Sequence, residues 1–222
     1  MKKIVALIMC CVIAFCFSSC KADINTVEDE SDTVAFETPE KAYKEMVKAA
    51  EKGDFKKAVK YYNSGAADVA DADLLNWYYY SLAMAENEEN GCVGYPVNLL
   101  QYNVSTDFEP AKKALDDLKS VCSNLNGAFE CDGRYIYIFD GKIATSVGAH
   151  LFGSIFCNAE IAEKNDKLYF VERKSDGTHK ELYTVEMTED RILVIKAVEG
   201  NTADVYSGDY IPMQASYPEL IY

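Results

Sequence analysis

The sequence predicts an α+β protein: N-terminal antiparallel helical hairpins over 38–124, followed by an antiparallel β-meander or small barrel over 125–222. Three observations carry this reading. Apolar residues recur at helical spacing in the first half, with Tyr43, Met46, Val47 and Ala50 forming one stripe. From about residue 125 the period changes to alternation, as in Tyr135-Ile136-Tyr137-Ile138-Phe139. The alternating segments are separated by short polar turns, which makes strands that follow one another in sequence pair in space. Composition agrees, since 49% of the 222 residues are apolar and 26% are charged, an ordinary globular balance. The formal charge is −14, and the only arginines are Arg134, Arg173 and Arg191. Phosphate recognition needs clustered cations, so nucleic acid is excluded as a partner.

The N-terminus carries an address. Lys2 and Lys3 precede an uncharged apolar run over 4–17, which is too short to span a bilayer and has the pattern of a secretory signal. Phe17-Ser18-Ser19-Cys20 resembles the lipobox of bacterial lipoproteins, with Phe17 standing where that motif usually has Leu. The resemblance implies a signal peptide over 1–19 and a diacylglyceryl-modified thiol on Cys20. It implies a place in the bacterial cell envelope: the outer membrane or cell surface of a diderm, or the outer face of a monoderm's cytoplasmic membrane. The alternative is an ordinary signal peptide cut nearby. Acyl chains on Cys20 would supply the membrane attachment, because each buried methylene contributes about 0.8 kcal/mol. Residues 21–37 hold six acids and one Lys, a composition too polar to pack, so 20–37 is expected to be a lipidated Cys and an acidic tether. The run Glu28-Asp29-Glu30 resembles the acidic surface-export signals of some diderm bacteria.

Thr38-Pro39-Glu40 opens the first helix, with a hydroxyl cap, Pro in the first helical position and an acid in the first turn. Gly53 stops it and Asp54 starts a second helix, with Phe55, Ala58, Val59 and Tyr62 on one face. A third helix runs from near Asp71 or Asp73 to about Glu89. Residues 91–106, with Gly94 and Pro96, read as loop with a short turn near Leu99-Leu100. Glu109-Pro110 opens a fourth helix, with Ala111, Ala114, Leu115, Leu118 and Cys122 along one side.

Gly53-Asp54-Phe55, Ala58 and Tyr61-Tyr62, followed by Trp77-Tyr78-Tyr79, resemble a tetratricopeptide unit and the start of another. That resemblance implies a peptide-binding or scaffolding surface. The opening from Thr38 to Tyr62 is also similar to small secreted domains of the nuclear-transport-factor-like cone fold. Four consecutive helical aromatics, Trp77, Tyr78, Tyr79 and Tyr80, cover about 300° of a helix, so they cannot all enter one core. They are candidate contacts for a ligand or a protein or peptide partner, set against packing within the chain. Between Lys60 and Lys112 there are eight acids and no cation. These residues read as solvated helix ends or as a patch for a basic partner or a divalent cation, and the spacing excludes an EF-hand.

In the β half, Asp140-Gly141 joins two strands through a two-residue turn. Further strands are expected at 154–163, 168–174, 180–187, 192–198 and 204–212. Leu125-Asn126-Gly127-Ala128-Phe129, leading into a meander that ends near Ile211, resembles the lipocalin-like β domains of bacterial lipoproteins. That implies a barrel with room for an interior pocket.

Cys92, Cys122, Cys131 and Cys157 follow Cys20 in a chain expected outside the cell, where disulfides persist. Four cysteines allow three connectivities. Pairing within each half gives Cys92–Cys122 and Cys131–Cys157, and buried free thiols are the alternative. No cysteine pair has the two-residue spacing of a zinc knuckle, so no metal and no cofactor is expected. His150 sits among apolar residues and reads as a core histidine, while His179, beside the turn over 175–177, should be exposed. There is no nucleophile elbow, phosphate loop, dinucleotide fingerprint or metalloprotease helix. The expected function is a non-enzymatic binding or interaction module held at the membrane through the lipid on Cys20. The runner-up is a lipocalin-like carrier of a small apolar ligand, ahead of an envelope hydrolase using paired carboxylates.

Overall fold

A computed structural model describes residues 34–147, 159–174, 177–200 and 206–213. Cys20 and everything before residue 34, His150 and Cys157 lie outside the described residues. Among the described residues five α-helices precede eight strands: α1 Pro39–Glu51, α2 Phe55–Asn63, α3 Leu74–Asn90, α4 Gly94–Asn103, α5 Glu109–Cys122, then β1 Gly127–Cys131, β2 Arg134–Phe139, β3 Lys142–Val147, β4 Ala159–Lys164, β5 Lys167–Arg173, β6 His179–Met187, β7 Leu193–Ala197 and β8 Gly208–Pro212. None of these helices is long and apolar enough to cross a membrane. The protein is α+β with a small closed antiparallel barrel, and the strands follow one another around it in chain order.

Local chemistry accounts for most boundaries. The Thr38 hydroxyl accepts a hydrogen bond from the Lys41 amide at 3.3 Å, and Pro39 occupies the first turn of α1. The Asp140-Gly141 turn has φ of 48° and 81°, the paired positive values that match the twist of a two-residue hairpin. One expectation is corrected. Residues 94–103 form the ten-residue helix α4, where a loop was expected from Gly94 and Pro96. Pro96 falls in the first turn, where it blocks no helical hydrogen bond, and Val97, Leu99 and Leu100 are buried.

Two main cores result. Ala42, Met46, Ala49 and Ala50 of α1 pack with Ala58, Ala66 and Leu74 in a small, alanine-rich one. The larger core joins α4 and α5 to the barrel interior, with Val97, Leu118 and Cys122 in one cluster with Phe129, Ile136, Ile161, Leu193 and Tyr210. The barrel closes where Phe129 pairs with Pro212 and Glu130 with Ile211. Among the described residues its shortest join is between β3 and β4, which pair at Lys142 and Glu160. There the α3–α4 linker fills in. Cys92 makes an antiparallel bridge to Ala162, the Val93 amide donates to the Ile161 carbonyl at 2.9 Å, and the Glu163 amide donates to the Gly91 carbonyl at 2.9 Å. The helical half thus supplies a piece of the barrel wall.

Candidate functional site at the seam of helices and barrel

The linker's docking on β4 brings distant residues together. Ile161 enters the main core, so its neighbours Glu160 and Ala162 project from the opposite face of the strand. On that face Cys92, Ala162 and Val171 form a third, small buried cluster flanked by Tyr169. Close backbone approach makes this contact possible. A Cβ on Gly94 would lie 2.7 Å from the Gly141 carbonyl oxygen, and one on Gly141 would lie 2.8 Å from the Gly94 amide nitrogen.

Glu160 organises the site. Its Oε2 accepts the Tyr95 amide at 2.7 Å, in the first turn of α4. The helix has no side-chain cap of its own at Val93, so a carboxylate from β4 meets the exposed amides and the positive end of the dipole. The other oxygen, Oε1, lies 3.7 Å from His179 Nε2, and the two side chains are only 7% and 8% exposed. Cys92 is fully buried. Single donor atoms of Cys92, Glu160 and His179 all lie within 4.8 Å of one another. Neither ring nitrogen of His179 has a hydrogen-bond partner among the described residues.

A layer of paired charge surrounds this trio. Arg173, opposite His179 on β5, donates to Glu86 Oε1 at 2.8 Å and lies 3.6 Å over the Tyr95 ring. Glu86 also accepts from Asn90 Nδ2 at 3.1 Å, and Asn87 Nδ2 donates to the Cys92 carbonyl at 2.8 Å. Burial pushes the Cys92 thiol far above its ordinary range, and the negative charges of Glu160 and Glu86 push it further. The thiol is therefore protonated and closed to solvent at neutral pH, the opposite of an activated nucleophile. The trio can instead offer sulfur, imidazole and carboxylate donors to one cation.

His179 also lines a cleft of about 340 Å³ between the end of α3 and strands β4–β6. Four carboxylates border it, Glu88, Glu89, Glu163 and Glu181, against the single cation Lys164. Lys164 pairs with Glu181 at 2.7 Å and Glu89 with Lys56 at 3.2 Å. Glu88 and Glu163 have no cation partner among the described residues. Glu86, Glu88 and Glu89 fall at the C-terminal end of α3, a helix end where the dipole disfavours acids.

The other sequence candidates lie elsewhere. Trp77, Tyr78, Tyr79 and Tyr80 are half-buried and engaged within the chain: Tyr78 stacks on Tyr62 at 3.8 Å between ring centres, and Trp77 meets Phe108 edge-on at 4.9 Å. Cys92, Cys122 and Cys131 are free thiols, so a Cys92–Cys122 bridge is not formed. The Cys122 thiol faces the Lys119 carbonyl within its own helix at 3.9 Å. The His179 side chain is buried, contrary to the expectation from its neighbouring turn, because it leads a strand whose first residues lie beside Glu160 and the linker. Glu160 drew no attention in the sequence, and no local spacing ties it to positions 92 and 179. The chain matches no known protein family, and neither curated proteins nor solved structures provide a similar one.

Proposed function

We propose that this chain is a lipid-tethered, extracytoplasmic binding module that is not an enzyme and takes a cationic ligand or a basic segment of a partner in the α3–β5 cleft. The observation that supports it is the cleft's charge: four carboxylates face one lysine, and two of the four lack a cation among the described residues. Acids placed where the helix dipole opposes them cost stability, and a basic ligand would offset that cost. Attachment at the membrane rests on the likeness of Phe17-Ser18-Ser19-Cys20 to a lipobox. Repeat-like helical hairpins would suit peptide capture. The carrier reading gains less support, since inward positions of the barrel hold Phe129, Ile136, Ile138, Leu193 and Tyr210, all fully buried.

Two measurements test the proposal on the full chain extracted in mild detergent. Mass spectrometry of the N-terminal peptide should find acylated Cys20, and Cys20→Ala should release the protein from the membrane fraction. Titration with oligolysine at low ionic strength should show saturable binding that salt weakens. Glu88→Lys combined with Glu163→Lys should reduce that affinity about tenfold or more, given two reversed charges in a shared cleft. Affinity unchanged by the double reversal would remove the cleft from the proposal.

A further inference from the structure

We propose that Cys92, Glu160 and His179 form a binding site for one divalent transition-metal ion of the zinc class. The donor set is the first argument. A thiolate, an imidazole and a carboxylate are the ligands zinc takes in proteins, and here they come from three elements packed together by the linker's docking on β4. The second argument is an orphan. The His179 side chain is more than nine-tenths buried, is aimed at Glu160 across 3.7 Å, and has neither nitrogen hydrogen-bonded. A buried imidazole without partners is costly, and a metal on Nε2 offsets part of that cost by giving one ring nitrogen a partner. The third argument is charge. Metal entry displaces the Cys92 proton to solvent, leaving two anionic ligands against a dication, so the buried trio becomes neutral. Glu160 is already fixed by the Tyr95 amide, and Arg173, whose charge also reaches Cys92, is paired with Glu86.

The geometry asks for little movement. Zinc bonds of about 2.0–2.3 Å at tetrahedral angles separate ligand atoms by roughly 3.3–3.8 Å. The Glu160–His179 pair is at 3.7 Å already, and the widest separation in the trio is within 4.8 Å. Three protein ligands leave a fourth position for water or a ligand atom, and His179 borders the acidic cleft. This site does not depend on what the cleft binds.

Co²⁺ and Zn²⁺ titrations of the reduced full chain test it. Co²⁺ should produce a thiolate-to-metal charge-transfer band and the visible bands of a four-coordinate ion, at one equivalent, and Zn²⁺ should abolish them. Cys92→Ser and His179→Gln should each weaken Zn²⁺ binding more than about 100-fold, beyond the 10–100-fold typical of losing an outer-shell partner. Cys131→Ser should leave it unchanged. Zn²⁺ should raise the melting temperature of the unaltered chain, and this rise should vanish in Cys92→Ser. If the unaltered chain gives no thiolate band, or if the band survives Cys92→Ser, Cys92, Glu160 and His179 do not hold a metal ion together. A missing band in the unaltered chain overturns the site by itself, so a variant that fails to fold does not shelter the proposal.

Discussion

At the scale of single residues, Gly91 has the least room for a side chain among the described glycines. It ends α3 with φ of +67°, and a Cβ there would sit 1.9 Å from the Glu163 carbonyl oxygen. Gly53 ends α1 with φ of +79° and would meet nothing within 4 Å. Both glycines serve the same backbone need, but only Gly91 also serves a close approach. Gly91→Ala should cost about 3 kcal/mol, from left-handed strain plus forced displacement of β4. Gly53→Ala should cost about 1 kcal/mol, from strain alone. Denaturant midpoints at unchanged slope measure both, and equal costs would mean that the linker does not press on β4 as described. Both helix stops are legible in the sequence; which of them bears the packing is not, because the partner carbonyl lies on a strand far along the chain. His179 shows the same limit. Its neighbours over 175–177 announce a turn, and a turn announces solvent, yet the side chain points the other way.

Elements were legible where their signals are local. The cap and proline of α1, and the Asp140-Gly141 hairpin, need only adjacent residues to specify them. Helix α4 was not, because Gly94 and Pro96 carry turn chemistry, its cap is Glu160 from another element, and its stability comes from burying Val97, Leu99 and Leu100. The junction of α5 with the β2–β3 turn is another long-range tie. Lys119 Nζ lies 2.8 Å from Asp140 Oδ2, whose side chain is 10% exposed, and the Asp140 amide donates to Asn126 Oδ1 at 3.0 Å. Lys119→Met should destabilise the protein by about 1–3 kcal/mol, since it strands a buried carboxylate. Adding Asp140→Asn should recover part of that loss, because Asn-Gly suits the same turn without a charge. A double-mutant cycle on unfolding free energies would reveal this coupling, and strict additivity would show the pair to be independent.

For the whole molecule, the main core runs through α4, α5 and the barrel without a break, so groups buried in it report on global stability. Burial raises the Cys122 thiol from its ordinary 9 to about 11, with the Asp140 charge adding to the shift. Burial likewise raises the Tyr210 hydroxyl from 10 to about 12 against the opposing effect of Arg134. Both groups are neutral when protonated, and the folded state holds that form more tightly than the unfolded state does. Their contribution is therefore complete below pH 9 and declines from pH 9 to 11 for Cys122 and from 10 to 12 for Tyr210. The melting temperature should fall steadily above pH 9 at constant ionic strength. A flat profile between pH 9 and 11 would mean Cys122 is not buried as described. At this scale the site was the least legible part. Its three donors share no motif, and only the seating of the linker on the barrel makes them neighbours.

That seating has an architectural consequence. A cask with one stave borrowed from its lid cannot be lifted away from the lid intact. Cutting the gene between the two halves would leave the downstream product with a bare gap beside its fourth stave, ready to zip onto any extended peptide, a sister copy included.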